Sequence, residues 1–464
     1  MMAARQTAIV GAGPAGLYCA IALARRGHDV TVVDRDAGPG PGGSWERKGV
    51  MQFHHPHAFR KQVCDALLAE MPDVFGALLA AGAERITVPE LGNLILGLRC
   101  RRMTFERVLR AAAERQRGVT FRIGHADEVT AARGRVTGVS ISGHHLGAGL
   151  VIDASGRAGR ITGHLRSEPE GGNCGFSYVS RQYQRLPGAG PGPVNSPIGM
   201  VAHYPGYLAI VFPHELGTFS ALILRASADH ELAALRTGPA FDAAARAIPA
   251  LAAWTQPGRS RPASPVLPGG GLRNTYRGQL NQAGRVAIDG LIFAGDAVCT
   301  TNPAAGRGVA TSLMQAEQLL GLLDEHGADF TSCSLAFDRW CTNNIKPWFT
   351  DHLYWDAQLL RRWSGEDIDL SQPLPSDLIC AAAEIVPELR KITGPYQAMM
   401  TLPASLRAAE PKARDAYASG WRPPVPDGPT HEELTSIIRE ASTPEPRIAA
   451  TAALSLRVRA TSAR

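Results

Sequence analysis

Apolar residues fall into two kinds of run along the chain. Thr7-Ala8-Ile9-Val10, Leu150-Val151-Ile152 and Leu291-Ile292-Phe293-Ala294 are short and unbroken. Such runs predict strands of a parallel sheet buried on both faces. The first passes into a helical pattern over Leu17 to Gly27, with apolar residues at Leu17, Ala20, Ile21 and Ala24, and a second strand is predicted over Asp29 to Val33. Helical patterns recur over 58–82, broken near Pro72, over 99–115 and over 309–325, and again with Trp340, Trp348 and Trp355. Residues 85–96 read as extended, and 119–123, 128–132 and 135–141 as short strands.

Between 170 and 280 the pattern changes to alternation. Phe176 to Tyr183 alternates, and 198–212 and 218–225 alternate around the turn His214-Glu215-Leu216-Gly217. That is an antiparallel hairpin signature and predicts a second, sheet-containing domain. Leu232 to Trp254 is predicted helical, 255–272 is a Pro/Gly-rich connection, and the Pro- and Ala-rich stretch after about 440 is predicted to be a disordered tail.

The turns after the unbroken strands carry the chemistry. The first strand ends in Gly11-Ala12-Gly13-Pro14-Ala15-Gly16, which fits G-x-G-x-x-G, and Asp34 lies 34 − 16 = 18 residues past the last glycine. Strand, glycines, helix, strand and terminal acid in that order predict a dinucleotide site of Rossmann type. Gly11 permits the tight turn, Gly13 lets a pyrophosphate approach the backbone, and Gly16 lets helix and strand pack closely. The helix N-terminus offers unpaired N–H groups to phosphate, and Asp34 offers an acceptor to a ribose hydroxyl. The late strand also ends in Gly295-Asp296 and runs through Asn302-Pro303 and Gly306-Arg307-Gly308 into a helix. That repeats the phosphate-cradle logic, although an ordinary strand-loop-helix crossover would read the same way.

Composition narrows the class. The 464 residues are too many for one ordinary core, and 45% hydrophobic with 19% charged residues is globular. No apolar run reaches the roughly 18 residues of a membrane span, and the first apolar run is a Rossmann strand rather than a signal peptide. The eight cysteines include no C-x-x-C pair, so a reducing cytoplasm is expected. The formal charge is +6, and half of it sits in the last 24 residues, which carry four arginines and one glutamate. No basic stripe with interleaved aromatics argues for nucleic acid. His54, His55 and His57 tempt a metal reading, but no nearby carboxylate or cysteine completes a ligand set; none is expected.

The order of these motifs resembles the FAD-dependent monooxygenases of the para-hydroxybenzoate hydroxylase fold over roughly residues 5–330. The carrying residues are Gly11 to Gly16, the arginine-bearing helix at Arg102, Asp153-Ala154-Ser155-Gly156-Arg157, Gly295-Asp296-Ala297 and Pro303 to Gly308. Within that group Arg47-Lys48-Gly49-Val50-Met51-Gln52 and His55 and His57 are similar to a segment of bacterial flavin epoxidases of antibiotic biosynthesis, with Met51 where that group has proline.

The resemblance implies an α/β chain. A discontinuous Rossmann-type FAD domain would span 1–168 and 281–330, with 83–98 contributing to the substrate side. A substrate domain would be inserted at 169–280, a helical region would occupy 331–440, and a tail 441–464. It implies that Gly11, Gly13, Pro14, Ala15, Gly16, Asp34, Arg35, Arg47, Gln52, Arg102, the main chain near Val129, Gly295, Asp296, Pro303, Gly306, Arg307 and Gly308 hold FAD. It also implies oxygen insertion, as hydroxylation or epoxidation, into a small hydrophobic substrate through a flavin hydroperoxide. The reductant would be transient NAD(P)H or reduced FAD from a partner reductase. No catalytic side chain is required. His54, His55, His57 and His203 are candidate proton donors or substrate contacts, and Phe176, Tyr178, Phe212 and Trp348 are candidate pocket walls or simply core. Flavin halogenases share the fold, but W-x-W-x-I-P is absent, and their essential lysine has few counterparts among five lysines. A reductase of the geranylgeranyl type would fit the same motifs, and so would a non-catalytic flavin-binding protein, because a fold fixes the cofactor and not the activity.

Overall fold

In a computed structural model, the described residues are 6–40, 44–88, 92–157 and 161–442; the expected tail beyond Ser442 lies outside them. In chain order the strands are β1 (Gln6–Val10), β2 (Asp29–Asp34), β3 (Phe59–Arg60), β4 (Glu84–Val88), β5 (Leu94–Arg99), β6 (Val119–Ile123), β7 (Ala126–Ala132), β8 (Arg135–Ile141), β9 (His144–Gly147), β10 (Leu150–Asp153), β11 (Glu170–Asn173), β12 (Phe176–Arg185), β13 (Met200–Tyr204), β14 (Tyr207–Pro213), β15 (Thr218–Ala226), β16 (Ser260–Pro262), β17 (Leu267–Gly269), β18 (Arg273–Tyr276), β19 (Leu291–Phe293) and β20 (Cys299–Thr300). The helices are α1 (Pro14–Arg25), α2 (Lys61–Glu70), α3 (Pro72–Ala80), α4 (Arg102–Arg115), α5 (Gly238–Ala247), α6 (Pro249–Thr255), α7 (Gly308–His326), α8 (Phe330–Asn344), α9 (Lys346–Trp363), α10 (Ser376–Ala382), α11 (Arg390–Gln397), α12 (Glu410–Ala418) and α13 (His431–Ser442).

The unbroken apolar runs form one parallel sheet in the order β19-β10-β1-β2-β6. β10 lies between β1 and β19, with Ile152 opposite Ile9 and Ile292. All four residues of β10 are buried, as expected of a strand covered on both faces. The sheet therefore draws on residues 6–153 and 291–293, and the domain is discontinuous, as the resemblance implies. Helices α1 and α7 lie against each other in its core, where Leu17, Ile21, Leu313 and Leu320 are buried.

The inserted domain is an antiparallel sheet, β13-β14-β15-β12-β16, with β17 also on β12. The predicted single extended run of 198–212 is in fact two strands, because Pro205-Gly206 turns the chain between β13 and β14. Alternation gives the sheet two apolar faces. Tyr207, Ala209, Val211, Ala221 and Ile223 pack under α5 and α6. Leu208, Ile210, Phe212, Leu222, Leu224 and Tyr178 point the other way, toward Met51, Ala304, Trp355 and Trp363.

The C-terminal region also packs on the inserted domain: α13 buries Leu434 and Ile438 in the cluster under α5 and α6. The Tyr204 and Tyr207 hydroxyls donate to the carbonyls of Asp427 and Pro429 at 3.0 and 2.6 Å, and fasten the approach to that helix. No helix among the described residues is long and apolar enough to cross a membrane.

Candidate cofactor cleft

A cleft of about 1420 Å³ runs from the carboxyl ends of β1 and β2 to the loop before α7. Drug-sized ligand sites occupy roughly 300–1,000 Å³, so this one has room for an extended dinucleotide. It lies where the strand order reverses between β1 and β10, the usual ligand position in an open α/β sheet.

The glycines at its floor differ in what they permit. Gly11 has φ +108°, and a Cβ there would stand 2.3 Å from the Ala154 carbonyl oxygen. A Cβ on Gly16 would stand 2.0 Å from the Gly11 carbonyl oxygen, so Gly16 serves helix-to-turn packing and does not line the cleft. A Cβ on Gly13 would meet nothing within 4 Å and would project into open space. Gly13, Pro14 and Ala15 line the cleft at the start of α1, where free N–H groups and the helix dipole favour an anion.

A row of buried charges forms one wall. Asp34 accepts from the Ala12 N–H at 2.6 Å, the Asp36 N–H at 2.8 Å and Arg47 Nη2 at 3.0 Å. Three of its roughly four acceptor positions are thus used inside the protein, which leaves one for a ribose hydroxyl. Arg47 is buried; it also donates to Glu106 at 2.6 Å and the Ala12 carbonyl at 3.1 Å, and lies 3.4 Å from Asp36. Glu106 is fully buried and accepts from Arg102 Nε at 2.5 Å. Arg102 Nη1 in turn stands 3.0 Å from His57 Nε2. The wall alternates acid and base from Asp36 to Arg102, and it holds Arg102 toward the cleft. Arg102 sits at the start of α4, whose first turn is tied to the inserted domain: Glu215 accepts from the Arg101 N–H and Arg101 Nε, both at 2.7 Å, and from the Thr104 hydroxyl.

His55 and His57 are not poised to donate protons. His57 Nε2 faces an Arg102 donor, so Nδ1 carries the hydrogen and gives it to the His55 carbonyl at 3.0 Å. Burial and the Arg102 charge hold its pKa well below the ordinary value. His55 is buried against Ser180 Oγ at 2.7 Å, and burial draws its pKa down to about 4. His54 pairs with Glu46 at 2.9 Å, and His203 is exposed on β13. No group of three or more metal-ligating side chains occurs among the described residues.

The far end is built from Gly295, Asp296, Pro303, Gly306 and Gly308, all of which line the cleft. Burial pushes the Asp296 carboxyl upward against the pull of Arg102 and Arg157. Gly306 has φ +59° and lies so close to Ala58 that a Cβ would approach the Ala58 methyl to 2.7 Å. Thr301 Oγ1 is buried there without a protein partner. Arg35 and Gln52 also line the cleft, and a Cβ on Gly49 would overlap the Arg35 guanidinium. Arg35, Lys48, Arg157 and Arg273 give its mouth a basic rim. The glycine cradle, two helix N-termini, the basic wall and the orphaned Thr301 hydroxyl fit FAD.

Besides Gly16, two expected contacts fall elsewhere. The Arg307 side chain turns away from the cleft into the C-terminal helices, where Asp351 at 2.8 Å and the Tyr396 hydroxyl at 2.6 Å accept from it. A buried guanidinium goes to its carboxylate, and Asp351 is on the far side of the loop. Val129 packs in the core opposite Val139; the residues of that segment on the cleft are Gly124, His125 and Ala126. Phe176, Tyr178 and Phe212 belong to the apolar sheet face and Trp348 to the main core. Sequence reasoning missed Glu106, and it gave the helix with Trp348 and Trp355 no part in the cleft; the only signal for Glu106 was its place four residues after Arg102, one helical turn along.

Two family models match the chain, the NAD(P)-binding Rossmann-like domain over residues 9–68 and tryptophan halogenase over 46–170. The NAD-dependent dihydropyrimidine dehydrogenase subunit PreT of Escherichia coli (strain K12) is 41% identical over 66 residues, 14% of this chain. The match spans 14% of that relative's own length. Among solved structures, the flavin-dependent brominase Bmp2 aligns over 90% of this chain and 99% of its own, with TM-score 0.58 and 15% identity. PqsL of Pseudomonas aeruginosa, described as a probable FAD-dependent monooxygenase, aligns over 78% and 99%, with TM-score 0.55 and 15% identity. The fold is that of flavin-dependent oxidoreductases.

Proposed function

We propose that the chain is an FAD-dependent oxidoreductase that uses O₂ to place one oxygen atom in a small hydrophobic molecule. The observation that carries this is the continuity of one cleft from the Gly13 cradle to Asp296 and the Pro303–Gly308 loop, which abuts the apolar face of the inserted sheet. Bound FAD supplies hydride acceptance and, when reduced, reaction with O₂. The protein holds and surrounds it. The α1 N-terminus receives the pyrophosphate, and Arg102 and the α7 N-terminus put positive charge along the cleft. Leu208, Ile210, Phe212 and Leu222 keep water from the substrate side. His57, fixed neutral, orients Arg102 and carries no proton to the reaction.

Halogenation is the second reading, favoured by the tryptophan halogenase match over 46–170 and the likeness to a brominase. It needs a lysine amine beside the cofactor. Lys48 is the lysine that lines the cleft, whereas Lys61, Lys346 and Lys412 are paired with Asp65, Glu170 and Glu388. The test starts from purified protein with FAD. O₂ uptake is measured with NADPH alone and then with a flavin reductase, across hydrophobic substrates with and without bromide. Oxygenated product independent of halide is expected. Halogenated product, abolished by Lys48→Met, would replace the first reading with the second. A protein that shows no flavin absorption after incubation with FAD would sink both.

A further inference from the structure

Helix α9 lies outside the cofactor domain in sequence, yet it holds the loop at the cleft's far end at both of its ends. Trp348, Asp351, His352, Trp355, Asp356 and Leu359 recur every three or four residues, so they share one face. At the loop's start, Asp356 Oδ1 accepts from Asn302 Nδ2 at 2.9 Å, and Asp356 Oδ2 accepts from Asn274 Nδ2. Asn274 Oδ1 accepts the Asn302 N–H, and Asn302 Oδ1 accepts the Ala304 N–H at 3.0 Å. Asn274 and Asn302 are at most 1% exposed and Asp356 is 5% exposed. His352 Nδ1 closes the set, 3.2 Å from Asp356 Oδ1.

At the loop's end, Asp351 accepts from Arg307 and from the Tyr396 hydroxyl at 2.7 Å. The Arg307 guanidinium lies over the Trp348 and Trp355 rings, 4.7 and 5.8 Å from their centroids. Between the ends, Arg60 donates to the Ala305 and Gly306 carbonyls at 2.5 and 3.1 Å and to the Gln397 carbonyl at 2.6 Å. The loop that lines the cleft with Pro303, Gly306 and Gly308 is thus shaped from outside, by residues that do not line the cleft.

We propose that Asp356 and Asp351 are positioning residues for the ring half of the cofactor: α9 fixes the 302–308 loop in the form that receives the flavin ring, and leaves the adenine half untouched. This rests on the reading that the cleft binds FAD. The two halves are separable, because the adenine end is built from Gly13, Asp34 and Arg47, which make no hydrogen bond to α9. Asp356→Asn keeps the volume but sets an amide NH₂ against the Asn302 or Asn274 NH₂, so one donor loses its acceptor.

The experiment titrates full-length apoprotein with FAD, followed by flavin fluorescence, and with ADP as a probe of the adenine half, followed by calorimetry. For Asp356→Asn, the FAD Kd is expected to rise at least tenfold while the ADP Kd changes less than twofold. The bound flavin's visible band should lose its vibrational structure as the ring is freed. Exchange of the pair in Asn302→Asp/Asp356→Asn restores a carboxylate–amide contact and should recover most of the FAD affinity. If Asp356→Asn does not fold, Tyr396→Phe removes a single hydroxyl from the Arg307–Asp351 contact, and a rise of about threefold confined to FAD is expected. Unchanged FAD affinity, or parallel loss of FAD and ADP binding in a folded variant, overturns the proposal. Parent protein that binds ADP but not FAD, or neither, refutes the FAD reading itself and this inference with it.

Discussion

Gly13→Ala separates cofactor binding from folding. Gly13 has φ −82° and ψ −179°, a conformation that alanine adopts freely. The added methyl meets no protein atom within 4 Å. Two small terms remain. Loss of chain freedom in the unfolded state stabilises by about 0.4–1 kcal/mol, and alanine is a poorer N-cap than glycine by up to about 1 kcal/mol. They nearly cancel, so the apoprotein should melt within ~1–2 °C of the parent. The same methyl stands where the pyrophosphate must lie, in front of the α1 N-terminus. A hundredfold or greater loss of FAD affinity is expected, about 2.7 kcal/mol. Gly16→Ala is the contrast: its methyl would sit 2.0 Å from the Gly11 oxygen and 3.4 Å from Ile9 Cγ2. That overlap should cost about 3 kcal/mol or more in the apoprotein. Far-UV melting and FAD fluorescence titration on the three proteins decide the matter. FAD affinity of Gly13→Ala within threefold of the parent would refute the placement of the phosphates.

Four further outcomes follow from the same geometry. Glu106→Gln removes the charge between Arg47 and Arg102 and should destabilise by about 3–5 kcal/mol, read by urea denaturation. His55 titrates at about 4 in the folded protein against 6.5 unfolded, so the native state binds fewer protons between these values. Stability should therefore rise with pH through that window and be complete above it, by about 3 kcal/mol from His55 alone; denaturation at pH 4.5, 5.5 and 7 checks this, and His55→Gln should make the rise shallower, the part due to His57 remaining. Lys48→Met should leave FAD affinity and oxygenated product within twofold of the parent, measured by titration and product analysis. Leu434→Ala opens a hole under α13 and should cost about 2–5 kcal/mol of stability without changing the FAD Kd.

The parts of the cleft made by local chain geometry were legible in the sequence. Gly11 to Gly16, Asp34 and Gly295-Asp296 announce themselves because strand, turn and helix follow one another within a few residues. The parts made by distant pairs were not. The resemblance puts Arg307 among the residues that hold FAD, and Asp351, forty-four residues later on α9, turns its side chain away together with the Tyr396 hydroxyl. Arg47 is expected at the cofactor from the resemblance of its segment, and it does line the cleft. In the fold Asp34, Asp36 and Glu106 occupy its guanidinium, and it supports the wall it was expected to decorate. Val129 lies beyond a bulge between Ala126 and Glu128, where the strand has already turned into its pairing with β8; the chain meets the cleft earlier, at Gly124 to Ala126. The packing of α13 on the inserted domain had no local signal at all, since its partners are α5 and the turn at 231–236.

The strand next to the edge of the cofactor sheet, β10, is made long before its last neighbour. β10 ends at Asp153 and β19 begins at Leu291, a gap of 291 − 153 = 138 residues. At roughly 5–20 residues per second, a growing chain keeps that apolar edge unpaired for about 7–28 s. The loop before α7 emerges later still, so FAD has no complete cleft to enter until two thirds of the protein has been synthesised. Nascent chains stopped between β10 and β19 should therefore bind chaperones and aggregate, and supplying FAD should not rescue them.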